Sequence, residues 1–221
     1  MRSNSLTLVL LLSVAGLLCL MPVWYYFLSP WLAGPVFYMA GEVVSNMFLW
    51  VVTYQRTDTQ AALLTGLRFV AEQGQGRSGS LAPVADYRVH GYGLVLLWAM
   101  LLASRPPALL RKLLLGTLVM LVFASVAVVL QWLNDVFYRS GAHVLAQTRA
   151  PAWLVEVVAF GFHFNLFIFT ALAPVLLWVL MNRAFVQALW SQATNVSPQA
   201  QDPIAEKGVH TAKPDLLKSA D

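Results

Sequence analysis

The chain has 221 residues, 59% of them hydrophobic and 11% charged, with a net charge of +4. A water-soluble domain carries about 25% charged residues, so most of this chain is solvated by lipid. Its basic residues lie mostly at the ends of apolar segments, a pattern of membrane topology and not of nucleic-acid binding, and its single cysteine excludes an internal disulfide or a thiolate-rich metal site.

The first apolar segment, Leu6 to Leu28, carries no charge. At about 1.5 Å per residue it is long enough for a hydrocarbon core of about 30 Å. A cleaved signal peptide fits it poorly: one basic residue precedes the run, and no small-x-small cleavage site follows. Cys19 follows Leu17 and Leu18, which does not suit a lipoprotein site, so it reads as an inert packing residue. Residues 1–28 are therefore assigned to a short tail and spanning helix one.

Residues 29–88 read as an external segment. Pro35 to Val52 is apolar apart from Glu42. As a fifth span it would place Arg56, Arg68, Arg77 and Arg88 in the cytoplasm and send Arg105, Arg111 and Lys112 outside. As a helix lying on the outer surface, it leaves that tight basic turn and the tail's Arg183, Lys207, Lys213 and Lys218 inside. The positive-inside rule gives short loops the most weight and favours the second arrangement. Glu42, Ser45 and Asn46 also share one helical face, as a surface helix requires. Beyond it, Val51 to Tyr54 are strand formers, "RTDTQ" can turn, "LLTGLRFVA" partly alternates and "EQGQGRSGS" is loop-like. Two or three short antiparallel strands are expected.

The second span is the awkward one. In "ADYRVHGYGLVLLWAMLLAS", the stretch without Asp, Glu, Lys or Arg begins only at Val89. To Ser104 it is 16 residues, roughly 24 Å of helix. To cross a bilayer it must include Arg88 and His90. Leu113 to Leu133 and Val157 to Met181 are longer runs, the last tolerating Pro174 as membrane helices can. Residues 89–190 thus hold spans two to four, and 191–221, polar and broken by three prolines, read as a disordered cytoplasmic tail. The expected fold is mainly α: a polytopic membrane helix bundle of four spanning helices with a small external α+β segment between helices one and two. Both termini are expected in the cytoplasm. Trp24, Tyr25, Tyr26, Tyr87, Tyr92, Trp132, Phe137, Tyr138 and Trp153 fall at the outer interface, where most would serve as lipid anchors.

Ionisable residues gather at the outer ends of these spans. Arg88 and His90 open helix two, Asp135 closes helix three, and Glu156 and His163 lie on nearly one face of helix four. The inner halves lack such groups. Ionisable groups at membrane depth face a bundle interior or a water-filled cavity. Two readings follow: an outward-facing site for an anionic or peptide ligand, or an ion pair from Arg88 to Asp135 or Glu156 that fixes helix order. Gly91 and Gly93 either admit close backbone contact or loosen the start of helix two. No cofactor, no metal-ligand spacing and no phosphate-cradling loop is expected.

The order of elements, with "YRVHGYGLVLLWAMLLASR" and a last span containing "LAPVLLWVLMNRAF", resembles the exosortase H-associated membrane proteins across roughly residues 6–185. The resemblance implies a bacterial inner-membrane protein working beside an exosortase, an enzyme that cuts C-terminal sorting tails with Cys, Arg and His at the outer membrane face. This chain lacks that set, its one cysteine lying within helix one. The implied role is a non-catalytic accessory whose partners are the bilayer and another membrane protein, the exosortase or its substrate. Two rivals remain: a membrane enzyme or small transporter using Glu156 and His163 for proton chemistry, and a b-type haem protein with His90 and His163 as axial ligands. The second needs two histidines about 10 Å apart in depth to share one haem.

Overall fold

The computed structural model describes residues 4–70, 78–166 and 170–194. The sequence "EQGQGR" and residues 195–221 of the expected tail fall outside those residues, whereas residues 191–194, expected to be disordered, are helical.

Helix α1 (Asn4–Val23) does not stop at the first aromatic cluster. It passes through a π-helical turn, Trp24–Leu28, into α2 (Ser29–Met47) without leaving the helix. The wide turn has a local cause. Pro30 has no N–H for the carbonyl of Tyr26 and its ring crowds that turn. The Ser29 N–H bonds back five residues to Trp24, while its hydroxyl donates to the Tyr25 carbonyl at 2.8 Å. The surface helix expected over Pro35–Val52 is therefore the second half of a longer helix that starts in helix one and ends at Met47. Proline at the head of α2 is well tolerated, so hydropathy alone gives no sign of continuity.

Strands follow. β1 (Val51–Thr57) and β2 (Gln60–Thr65) form a hairpin, and β5 (Val84–Asp86) pairs with β2 on its other side, giving an antiparallel sheet of order β1-β2-β5. The turn pairs Thr57 with Gln60 and puts Asp58 at φ 49°, a left-handed position that Asp tolerates. β3 (Arg68–Val70) and β4 (Ser78–Ser80) make a separate two-stranded piece. Along β2, Ala61, Leu63 and Thr65 alternate inward, the period of a sheet packed on one face only. Ala61 and Leu63 lie in one core with Phe37 of α2 and with Trp132.

Helix α3 (Tyr87–Ser104) begins where β5 ends, capped by the Asp86 carboxylate, which accepts the Arg88 N–H at 2.9 Å. It stops at Arg105, in the left-handed region at φ 42°, ahead of Pro106 and Pro107. Helix α4 (Leu109–Asn134) ends in a second π-turn, Asp135–Arg139. A short helix not anticipated from sequence, α5 (Gly141–Thr148), leads to α6 (Ala152–Phe164) and α7 (Thr170–Met181). Within the fourth apolar run, α6 and α7 are the described helices, and residues 167–169 between them lie outside the described residues. Helix α8 (Arg183–Thr194) belongs to a second unit that begins at Arg183.

Two helical stretches, Thr7–Met47 and Leu109–Arg139, are long and apolar enough to cross a membrane, and α6 and α7 are shorter apolar helices. Large apolar side chains point outward along α1 (Leu8, Leu11, Leu18), α4 (Leu114, Leu118, Val122) and the α6 and α7 helices (Phe160, Leu172, Leu176), as lipid-facing surfaces do. Nine residues of α3 are buried, so it is the central rod of the bundle.

Candidate functional site

The polar front of α3 resolves into three separate tasks. Asp86 caps the helix. Arg88 turns sideways, its guanidinium 4.1 Å above the Tyr25 ring and its Nε donating to Ser29 Oγ at 3.4 Å. His90 points inward, where its Nε2 lies 2.6 Å from Gln131 Oε1 on α4. Gln131 is oriented by the sheet, since its Nε2 donates to the Val84 carbonyl of β5 at 3.3 Å. A carbonyl only accepts, so the Gln131 NH2 faces Val84 and its oxygen faces His90. His90 therefore carries its proton on Nε2, leaving Nδ1 as an acceptor.

One residue up α3, Gly91 lies against the Trp24 and Tyr87 rings, and a Cβ there would sit 2.8 Å from Trp24 and 2.6 Å from Tyr87. A Cβ on Gly93 would come 2.7 Å from the Thr170 backbone carbonyl. Both glycines admit close approach, Gly91 to the Trp24 and Tyr87 rings and Gly93 to α7. Near them a cavity of about 10 Å³ opens between α3, α4 and the α6 and α7 helices, lined by His90, Asn165 and Thr170 and by apolar groups such as Met120 and Phe123.

Of the five residues expected to share a surface, only His90 enters this interior. Arg88 rests on Tyr25 and Ser29. Asp135 pairs with Arg139 at 3.3 Å within the second π-turn, with Arg139 largely exposed. Glu156 is exposed on α6. His163 is exposed too, its Nδ1 2.7 Å from the Ala159 carbonyl one turn back. Among the described residues no hydrogen bond or ion pair joins any two of the five. His163 does not face the cavity that His90 lines, so the two histidines are not placed as a pair of axial haem ligands.

Gln131 and Asn165 stand out in the sequence as polar residues within apolar runs, near the charged ones in depth, but no spacing assigns them to His90. Nor does the sequence mark the pairings at the opposite end of the bundle. There Trp98 Nε1 donates to Thr117 Oγ1 at 2.9 Å, Trp178 Nε1 to Ser104 Oγ at 3.1 Å, and Lys112 Nζ to Asn182 Oδ1 at 3.0 Å. Polar groups therefore tie helices together at both ends. The aromatic belt also needs correction: Trp24, Tyr87, Trp132 and Phe137 are buried, whereas Tyr26, Tyr138 and Trp153 are exposed. Trp132 stacks on Phe37 with centroids 6.1 Å apart and donates to the Ala61 carbonyl at 3.2 Å, pinning the sheet to α4. Cys19 is exposed on α1 and is not a packing residue.

Comparison with known proteins fits this lipid-facing bundle and its sheet. The family model described as exosortase H-associated membrane protein matches residues 3–185. The chain belongs to that family. No curated protein and no solved structure matches it. The matched region runs from the start of α1 to the first turn of α8.

Proposed function

We propose that this protein is a non-catalytic, multi-pass accessory of an exosortase-type protein-sorting system in the bacterial inner membrane. Its docking surface is the outer module formed by α2 and the β1-β2-β5 sheet. Four spans, α1, α3, α4 and the α6–α7 pair, carry that module to the periplasmic side, with both termini cytoplasmic.

The observation that carries this reading is an unpaired aromatic stripe on the module of a protein whose family is defined by association with an exosortase. Spacings of four, seven and four residues put Phe27, Trp31, Tyr38 and Glu42 on one face of the first helical rod. Trp31 is 83% and Tyr38 61% exposed. Leu49 and Val52, at the start of the strand region, are also bare. Large aromatic side chains are the usual anchors of protein interfaces, and a polar residue at the end of the stripe suits an interface rim. Among the described residues β1 pairs only with β2, which leaves its other edge beside the stripe without a strand. Orientation is supported by Arg105, Arg111 and Lys112, which gather at the end of the bundle away from the sheet, as a cytoplasmic face requires.

Co-purification from native membranes tests the docking role. The exosortase is expected to follow the wild-type chain and to be lost from a Trp31→Ser/Tyr38→Ser double variant that still accumulates in the membrane. Retention of the exosortase by that variant refutes the proposed surface. Orientation is tested in a Cys19→Ser background: a cysteine at Thr57 is expected to react with a membrane-impermeant maleimide from outside, and one at Pro107 only after the membrane is opened. The reverse pattern removes the periplasmic module.

A further inference from the structure

The cavity beside α3 holds two unmet hydrogen-bonding atoms. His90 is 3% and Asn165 7% exposed, and both line the cavity. Among the described residues, His90 Nδ1 and Asn165 Nδ2 have no partner. Their chemistries are opposite. With Gln131 fixing the proton on Nε2, His90 Nδ1 is an acceptor in need of a donor. Asn165 Nδ2 is a donor in need of an acceptor. Thr170, the other polar side chain in the lining, already gives its hydroxyl proton to the Asn165 carbonyl at 2.7 Å. Met120, Phe123 and Ala173 offer neither donor nor acceptor.

We propose that this cavity is a binding site for one water molecule, which donates to His90 Nδ1 and accepts from Asn165 Nδ2. The size is right: about 10 Å³ is close to the one-sphere minimum of roughly 10–15 Å³ for a single water. The site differs from an apolar void, which stays dry, because both of its polar ends are unmet and buried. In a lipid-embedded bundle no bulk solvent supplies the missing partners, so the water is a structural component. It completes a chain of hydrogen bonds running from the Val84 carbonyl of β5 through Gln131 on α4 and His90 on α3 to Asn165 at the end of α6. That chain joins the outer sheet to the three helices behind it.

The test is water-edited solid-state NMR on the full chain, 15N-labelled at histidine, in phosphatidylethanolamine/phosphatidylglycerol vesicles. His90 Nδ1 is expected to resonate as a non-protonated nitrogen and to receive polarisation from water although its side chain is buried. Asn165→Leu, which removes the donor and fills part of the space, is expected to abolish that transfer while exposed His143 keeps its own. A protonated Nδ1, no transfer to His90 in the wild-type protein, or full transfer in Asn165→Leu overturns the proposal. Where the variant does not fold, the wild-type spectrum decides alone.

Discussion

Helices α1 and α3 lie side by side, and they invert the usual association of apolar with buried. Between Asn4 and Val23 helix α1 carries no charged residue, yet Leu8, Leu10, Leu11, Leu12, Val14 and Leu18 are all exposed. Helix α3 carries Arg88 and His90 and falls outside the stretches apolar enough to qualify as spans, yet it is the helix most enclosed by others. In a bilayer, hydropathy records contact with acyl chains. A helix shielded by neighbours can be short, polar at one end and rich in glycine, because protein supplies what lipid cannot.

That contrast can be broken by truncating one leucine on each helix. Leu97 on α3 is 0% and Leu11 on α1 63% exposed. Lipid tails are as apolar as leucine, so little transfer energy distinguishes the two sites, and the cavity and lost dispersion contacts decide. Leu97→Ala is expected to cost about 2–5 kcal/mol, the range for enclosed leucines. Leu11→Ala is expected to stay within about 0.5 kcal/mol because lipid refills the space. Unfolding in mixed micelles titrated with SDS measures both. Equal losses would mean that α1 is covered by a partner or a second copy, and that its bare leucines are an interface.

How far the sequence revealed this arrangement depends on which force shaped each part. The apolar runs, the turn at Asp58 and the strand at Val51 follow from local composition and could be read directly, whereas β2 begins at Gln60, a residue that reads as part of the turn. The continuity of α1 into α2 could not be read, because Pro22, Pro30 and Pro35 look like stops and the wide turn ahead of Pro30 is made by a backbone bond from Ser29 to Trp24 that no residue pattern announces. The expected polar cluster rested on similar depth along separate helices. Depth says nothing about rotation: Arg88 turns toward Tyr25, Glu156 and His163 toward the outside, and only His90 toward the centre. Neutral Gln131 and Asn165, which carry no charge to mark them, proved to be its neighbours. Helix rotation is set by packing across helices, through contacts such as Gly93 on Thr170, and a single sequence does not display those pairings.

A smaller effect sharpens the same contrast at two glycines. Gly16 on α1 faces Ala99 on α3, where an added Cβ would meet the Ala99 side chain at 3.6 Å, ordinary van der Waals contact. At Gly93 an added Cβ would meet a backbone carbonyl at 2.7 Å and the Met120 methyl at 3.0 Å. Methionine can swing away, but the Thr170 carbonyl moves only if α7 moves with it. Gly93→Ala is therefore expected to cost about 1–3 kcal/mol, the range for overpacking a well-filled core. Gly16→Ala is expected to be neutral or to stabilise by up to about 0.5–1 kcal/mol, through the reduced backbone freedom of the unfolded chain. The two variants add a methyl group of the same size to helices that touch each other, so their difference isolates what lies on the far side of α3. If Gly93→Ala proves as harmless as Gly16→Ala, α7 is free to slide on α3, and the close-packed seam that walls the His90 cavity is not rigid enough to hold His90 and Asn165 at a fixed separation.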